Sequence, residues 1–220
     1  LSLPRADQFG VDLIDVQCEV KAGEVVGIAG VSGNVQKELL YALSGEDTRA
    51  APAMVTLDGK PVGRLGPTQR RALGLHFVPE ERLGRGAVPT MGLAHNLLLT
   101  RTNAVSGSGW IQVGALQKHA QSIIERFHVK AGGPNSAAKS LSGGNLQKFI
   151  VGREIDANPT LLIVSQPTWG VDVGAAAQIR GSILALRDAG CAVLVASEER
   201  HELFEICDRL HVVAKGHLSP

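Results

Sequence analysis

Apolar runs of strand length alternate with segments of helical periodicity at both ends of the chain. Strands are predicted at residues 25–29 and 75–78, and again at 161–164, 191–197 and 210–213. Helices are predicted between them, at 36–43, 67–73, 175–189 and 199–206. This alternation predicts an α/β fold in which helices cover a mostly parallel sheet.

Two other patterns divide the chain. The turn Asp58-Gly59-Lys60 separates two short apolar segments, which predicts an antiparallel hairpin and a small β layer. From about residue 86 to residue 140 the strand signals fade, and one amphipathic helix is predicted from apolar residues on one face: Leu116, Ala120, Ile123, Ile124 and Phe127. We therefore expect a core of residues 1–85 and 146–220 that carries the small β layer, and an inserted helical subdomain of residues 86–145.

Composition narrows the classes of protein. The chain has 220 residues, 44% of them apolar, which is enough for one substantial core. Its 22 basic and 21 acidic side chains give no overall positive field that would attract nucleic acid or an anionic membrane. We therefore expect no nucleic-acid partner, and binding must come from local sites.

The three cysteines and the chain ends suggest a cellular context. Cys18, Cys191 and Cys207 are far apart in sequence, so we expect reduced, strand-buried thiols and no metal site, as in a cytosolic protein. No apolar stretch approaches the roughly 20 residues that span a bilayer, and no signal peptide is recognisable. A membrane role would therefore need a partner subunit. Residues 1–4 read like the tail of a strand, so we expect a piece of a longer chain.

A glycine-rich stretch stands at a predicted helix start: Leu141-Ser142-Gly143-Gly144-Asn145-Leu146-Gln147-Lys148. The free N–H groups and the helix dipole favour phosphate there, and the Ser142 hydroxyl can add a donor. The stretch resembles the LSGGQ signature motif of ABC-type ATPases, in the GNxQK form of simple-sugar and nucleoside importers. The alternative is an ordinary loop and N-cap.

Residues 27–38 have the strand, loop and helix order of a phosphate loop, whose pattern is GxxxxGK[ST]. Gly30 matches the first glycine, but Val35 replaces the second. Neutral Gln36 stands at the lysine position, and Lys37 stands where a hydroxyl would bind magnesium. Successive residues of a helix are rotated by about 100°, so Lys37, one residue further on, points away from the direction in which the pattern's lysine would reach the phosphates. The resemblance assigns nucleotide binding to Gly30, Val31, Ser32, Gly33, Asn34, Val35, Gln36, Lys37 and Glu38. Backbone amides could hold a nucleotide weakly, or the connection binds nothing.

Three further positions resemble catalytic positions of the family but lack its residues. Residues 161–168 resemble Walker B, in which an apolar strand ends in Asp-Glu, but Ser165 and Gln166 replace both carboxylates. Gln166 cannot accept a proton from an attacking water. Glu198 stands where the switch histidine contacts the γ-phosphate, and its charge would repel that phosphate. His201 could be a displaced switch, or an exposed helix-surface residue.

Other positions resemble contact residues of the family. Asp172 matches the D-loop aspartate, which lies at a contact between two such domains. Glu80, after Val78-Pro79, corresponds to the segment that couples the nucleotide site to the transmembrane subunit. Residues 81–86, which follow Glu80, resemble part of the PEDRxxxG stretch of sugar and nucleoside importers, or form a solvated charged turn. Phe9 is a candidate for stacking on adenine, or a plain core residue.

The resemblance covers nearly the whole chain and implies the P-loop NTPase fold. It implies the second of two fused ATP-binding domains in an importer, working with another nucleotide-binding domain fused upstream and with transmembrane permease subunits, at the cytoplasmic face of the membrane. ATP would bind weakly or not at all in this domain's own site, and Mg²⁺ binding there is doubtful. Ser165-Gln166 favours nucleosides or purines over monosaccharides as the cargo.

Two rival classes stay open. One is a soluble ABC-type ATPase without membrane partners, which the lack of a long heptad coil and of a basic stripe disfavours. The other is a scaffold that binds no nucleotide, which the missing charged residues make realistic.

Overall fold

The computed structural model describes residues 1–6, 8–30, 35–101, 106–107 and 110–219. Its main sheet has six strands: β1 (Val25–Gly30), β4 (Leu75–Val78), β7 (Leu161–Ser165), β8 (Ala192–Ser197), β9 (Arg209–Ala214) and β10 (His217–Leu218). Their order across the sheet is β10-β9-β1-β8-β7-β4. β1 pairs in parallel with β8 and β9, β7 pairs in parallel with β8, and β10 is antiparallel to β9. The predicted α/β class and mostly parallel sheet are confirmed.

The first strand and helix follow from the local pattern. The first four residues of β1 are buried, as expected for a central parallel strand. α1 (Val35–Ser44) follows and ends just before Gly45, where the predicted stop signal stands. Leu39 and Leu40 of α1 are buried in the same apolar cluster as Val26 and Ile28 of β1. Burial of these side chains holds the helix against the sheet.

The predicted hairpin is present between β2 (Thr56–Leu57) and β3 (Lys60–Pro61), which are antiparallel. Asp58 and Gly59 both have positive φ, at +48° and +73°. Such a pair favours a two-residue hairpin turn. α2 (Pro67–Ala72) follows and leads into β4.

A fully buried arginine ties α2 to the preceding segments. Arg70 is 0% exposed. Its guanidinium donates hydrogen bonds to the carbonyl oxygens of Ala42, Leu43, Gly63 and Leu65. Because the first two carbonyls lie at the end of α1, Arg70 also provides positive charge where the helix dipole is negative.

The middle of the chain is mostly helical. It contains α3 (Leu93–Leu97), α4 (Val113–Arg126) and α5 (Gly143–Asp156), with a 3-10 turn at Ala138–Ser140. The predicted apolar face of α4 is buried, including Phe127 immediately after the helix. A short antiparallel pair, β5 (Ser106–Gly107) and β6 (Trp110–Ile111), was not predicted. α6 (Val173–Asp188) and α7 (Arg200–Ile206) are the last two α-helices of the described residues.

Contacts divide the chain into two compact units. The first contains Leu1–Phe77, Pro159–Gln166 and Ile183–Pro220, and the second contains Val78–Asn158 and Pro167–Ser182. This division differs from boundaries at residues 86 and 146. All of α5 and the start of α6 belong to the second unit. α5 packs on α4, and Lys148 of α5 bonds to His128, just after α4, and to Gln178 of α6.

Two findings concern the cysteines and the membrane. Cys191 is buried as predicted, but Cys18 is exposed and Cys207 is partly exposed at the end of α7. The expectation of three strand-buried thiols was therefore wrong, because apolar neighbours in sequence do not guarantee burial. Within the described part of the chain, no helix has the length and apolar character needed to cross a membrane.

Candidate functional site

Three parallel strands end together at one edge of the main sheet. Ala29 of β1 pairs with Ser197 of β8, and Ser165 of β7 pairs with Ala196. In α/β folds, ligands bind outside the carboxyl ends of parallel strands. The structure therefore brings together residues predicted from separate motifs: Gly30, Gln36, Ser165, Gln166 and Glu198.

The side chain of Gln36 folds back onto β1. Its Nε2 donates a hydrogen bond to the carbonyl oxygen of Ile28 at 3.3 Å. A Cβ placed on Gly30 would lie 2.3 Å from the same nitrogen, so the amide occupies the space that Gly30 leaves open. A neutral amide therefore covers the strand end where the phosphate-loop pattern has a lysine.

The other phosphate-loop positions add little positive charge. Lys37 is exposed, and its Nζ lies 5.5 Å from the centre of the Tyr41 ring. Glu38 lies in the first turn of α1, where its charge suits the helix dipole but opposes a bound phosphate. Val35 begins α1. Predicted residues Val31, Ser32, Gly33 and Asn34 lie outside the described residues.

Gln166 is held in an unusual backbone conformation at the end of β7. Its φ is +49°, a left-handed value that is uncommon for a residue other than glycine. Its N–H donates to the carbonyl oxygen of Ala196 at 2.7 Å. Its side-chain Oε1 accepts from the N–H of Glu198 at 3.2 Å and lies 3.4 Å from Ser197 Oγ. The side-chain oxygen therefore binds the segment after β8.

A buried glutamate completes this network, and sequence reasoning missed it. Glu202 is 3% exposed, and its Oε2 accepts a hydrogen bond from Ser197 Oγ at 2.7 Å. The same hydroxyl accepts from the N–H of Glu199 at 3.1 Å. The available signal was an acidic residue next to the apolar positions Leu203 and Ile206 of the predicted helix.

The residues at this edge do not fit a magnesium ion. Mg²⁺ in nucleotide sites is usually bound through carboxylates and phosphates. Ser165 and Gln166 carry no charge and are only 5% and 6% exposed. Among the described residues, no group of three or more His, Cys, Asp or Glu side chains could hold a metal ion.

The predicted signature residues lie at the start of α5. Ser142 is the N-cap, and its Oγ accepts from the N–H of Asn145 at 3.4 Å and from Asn145 Nδ2 at 2.9 Å. Both contacts use the hydroxyl oxygen as acceptor, so its hydrogen remains a donor. Ser142 and Gly143 are exposed, Gly144 is buried and Leu141 is half-buried.

Polar residues that follow the glycines anchor this helix. Asn145 Oδ1 accepts from the N–H of Lys130 at 2.8 Å. Lys148 is 8% exposed, and its Nζ donates to the carbonyl oxygen of His128 at 2.5 Å and to Gln178 Oε1 at 3.1 Å. Burial lowers the pKa of Lys148. The GNxQK pattern therefore fixes the orientation of α5 and of its first turn.

Asp172 lies beside this helix start. Its Oδ1 accepts from the N–H of Ala175 at 2.9 Å, and this hydrogen bond lowers the pKa of the exposed carboxyl group. A Cβ on Gly144 would come within 3.0 Å of Ala175 Cβ and 3.1 Å of Asp172 Oδ2. Glycine at position 144 therefore permits the close approach of α5 to the residues that begin α6.

Three more predicted residues are on the surface. Glu80 follows β4 and is exposed. Phe9 is 84% exposed, so the core alternative was wrong. His201 is exposed on α7, as the helix-surface alternative predicted. The structure does not describe a contact that gives any of them a catalytic role.

The chain is similar to the ATP-binding proteins of several importers. It is 39% identical over 215 residues to the guanosine import ATP-binding protein NupO of Bacillus subtilis (strain 168), covering 96% of this chain and 42% of that protein. It is 39% identical over 220 residues to the glucose import ATP-binding protein TsgD13 of Haloferax volcanii, covering 98% of this chain and 40% of that protein. The chain thus spans about two fifths of the length of these relatives. No protein-family model matches the chain.

A solved structure supports the fold. The dimeric ATP-binding cassette MJ0796, in a post-hydrolysis state with ADP and Pi, has a TM-score of 0.82 at 20% identity, covering 100% of this chain and 93% of that one. Sheet order, small β layer and helical subdomain therefore define a P-loop NTPase of the ABC ATPase fold. The chain belongs to the family of ABC transporter ATP-binding domains.

Proposed function

We propose that this domain works in a nucleoside importer, where its signature segment completes the ATP site of a second nucleotide-binding domain. Its own phosphate-side site would be structural or regulatory and would not hydrolyse ATP. The observation that carries the proposal is the contrast between the edge of the main sheet and the start of α5. The sheet edge has lost the charged residues of catalysis, whereas the start of α5 retains glycines and a free hydroxyl donor.

The loss of hydrolysis follows from charge and geometry. Gln36 supplies no cation, and its amide is bonded to β1. The side-chain amide of Gln166 does not accept a proton near neutral pH. Its oxygen accepts a hydrogen bond from the N–H of Glu198 and lies 3.4 Å from Ser197 Oγ. Glu198 adds a negative charge beside the place of a γ-phosphate. Several separate substitutions therefore act in the same direction.

Binding of a partner's nucleotide is supported by the first turn of α5. The N–H groups of this turn carry the positive end of the helix dipole, and Gly143, at the exposed helix start, adds no side chain that would cover them. The Ser142 hydroxyl can donate to a phosphate oxygen. We propose that Ser142, Gly143 and Gly144 contact the γ-phosphate held by the second domain, flanked by Leu141, Asn145 and the D-loop Asp172.

The cargo is proposed from the residues after β7 and from the relatives. Ser165-Gln166 in place of Asp-Glu favours nucleosides, and NupO bears the name of a guanosine importer. The second candidate is a monosaccharide, because TsgD13, named for glucose import, is equally similar at 39% identity.

The partners are proposed on the same basis. A second nucleotide-binding domain fused upstream is consistent with relatives whose length this chain covers by only 42% and 40%. Exposed Glu80 would face the permease subunits, which would hold the domain at the cytoplasmic face of the membrane.

The alternative from another class is a scaffold domain that binds no nucleotide. In the described part of the phosphate loop, the side chains that could donate to a phosphate are those of Gln36, which is bonded to β1, and of the exposed Lys37. Titration calorimetry with ATP, with and without Mg²⁺, separates this alternative from a weak site. Heat of binding that does not depend on Mg²⁺ would indicate a weak nucleotide site.

Replacement of Ser142 tests the proposed role. We expect Ser142→Tyr to abolish ATP hydrolysis by the full-length protein assembled with its permease, because the ring would fill the space of the partner's phosphate. Ser140→Tyr is the matched control, because Ser140 is also exposed but precedes the motif. Unchanged hydrolysis in the Ser142 variant would refute the proposal.

A further inference from the structure

The loop that follows Glu80 is closed on itself by backbone hydrogen bonds. The N–H of Gly86 donates to Glu81 O at 2.9 Å, and that of Ala87 donates to Arg82 O at 2.7 Å. A further bond joins the N–H of Gly84 to Ala87 O at 2.9 Å. The loop therefore holds the backbone of Arg82 in one position, two residues from Glu80.

The guanidinium of Arg82 reaches the signature helix and the D-loop. Nε donates to Gln147 Oε1 at 3.2 Å, and Nη2 donates to the carbonyl oxygen of Trp169. Gln147 is 1% exposed in α5, and Trp169 lies three residues before Asp172. Burial lowers the pKa of Arg82, as expected for a guanidinium enclosed between these segments.

Arg82 also touches the first glycine of the signature, Gly143. A Cβ on Gly143 would lie only 3.1 Å from Arg82 Nη1, so the guanidinium packs directly against this residue. One planar group, carried on the loop after Glu80, thereby contacts α5 at its start and the segment before α6. Lysine could not reproduce this, because its ammonium lacks the planar fork of donors.

We propose that Arg82 is a positioning residue that transmits movement of the Glu80 segment to the signature and the D-loop. When a permease displaces Glu80, the closed loop carries Arg82 with it. The bonds to Gln147 and Trp169 then shift the first turn of α5 and the residues before Asp172 together. This inference rests on the proposed function, in which those two segments face the ATP of the second domain.

A double-mutant cycle tests the inference. The full-length protein is assayed for ATP hydrolysis alone and assembled with its permease subunits, and the ratio of the two turnover rates is the readout. We expect Arg82→Lys and Gln147→Met each to lower this ratio roughly tenfold, within the range of typical coupling between sites. The double variant should lower the ratio no further than Arg82→Lys alone, because that substitution already removes the contact with Gln147.

Arg85→Lys is the matched control, since Arg85 is an exposed arginine of the same loop, and it should leave the ratio unchanged. A purely structural role for Arg82 would reduce both turnover rates alike and leave the ratio unchanged, which would overturn the inference. Independent, additive effects of the two substitutions would also overturn it.

Ser142→Tyr, assayed in the same series, separates this inference from the proposed function. If that variant still hydrolyses ATP, the proposed function fails, and the inference fails with it. If the Ser142→Tyr variant is inactive while Arg82→Lys keeps the parent's ratio of turnover rates, only the inference about Arg82 fails.

Discussion

Restoring a carboxylate at position 166 should destabilise the domain. Ser197 Oγ lies 2.7 Å from Glu202 Oε2 and 3.4 Å from Gln166 Oε1, so the two oxygens are about 6 Å apart at most. Two negative charges about 6 Å apart repel by about 3 kcal/mol at an effective dielectric constant of about 20. The N–H of Glu198 would still donate to the new carboxylate and offset part of this repulsion. We expect Gln166→Glu to lower the free energy of unfolding by about 2 kcal/mol at pH 8.

The loss of stability in the Gln166→Glu variant should depend on pH. Repulsion raises the folded-state pKa of the new carboxyl group above its unfolded value of about 4.3. Below that value the group is neutral in both states, and the variant should be as stable as the parent. The deficit should grow as the pH rises through the raised pKa and be complete above it.

The assay is urea unfolding of the 220-residue chain at several pH values, followed by circular dichroism. Gln147→Glu is the matched control, because it makes the same change at a buried glutamine whose oxygen faces Arg82. This control should lose no stability at pH 8. The added change Glu202→Gln should restore most of the loss in the Gln166→Glu variant. A Gln166→Glu variant with parental stability at pH 8 would refute the reasoning.

Two further predictions concern the helical part of the chain. Asp156→Asn should lower the free energy of unfolding by about 1–3 kcal/mol, because it leaves the mostly buried guanidinium of Arg101 without its carboxylate. Burial acts to raise the pKa of Asp156, but hydrogen bonds from His119 and Arg101 outweigh it and the pKa is lowered. The difference in stability between the parent and the variant should therefore disappear as the pH falls below about 4. Urea unfolding of both proteins over a pH series checks this. Gly152→Ala should cost about 1–3 kcal/mol, because a Cβ would lie 2.5 Å from Phe127 Cδ2. Gly181→Ala, where a Cβ meets nothing within 4 Å, should instead raise the melting temperature.

Local patterns were sufficient for most of the fold. Predicted strands and helices agree with the observed ones within about two residues, because buried strands and amphipathic helices have different apolar periods. The hairpin at Asp58-Gly59 was predictable, since this dipeptide suits a turn in which both residues have positive φ. The β5–β6 pair was not predicted, because strands of two residues carry too little pattern.

Contacts between distant residues were harder to predict. Asn145, Gln147 and Lys148 were recognised as a motif, but the pattern did not reveal that they bond to Lys130, Arg82 and Gln178. Exposure was also misjudged in the segment before β1, where Cys18 and Phe9 lie outside any strand or helix and are exposed.

The sequence by itself determined which charges the domain lacks. Neutral Gln36, Ser165 and Gln166 are chemical facts of the chain, and no fold can turn an amide into a base. Only the tertiary structure decided what those side chains bind instead. It placed the oxygen of Gln166 on the segment after β8 and Arg82 between two functional segments, because such contacts join residues that are 31 to 87 positions apart in the chain.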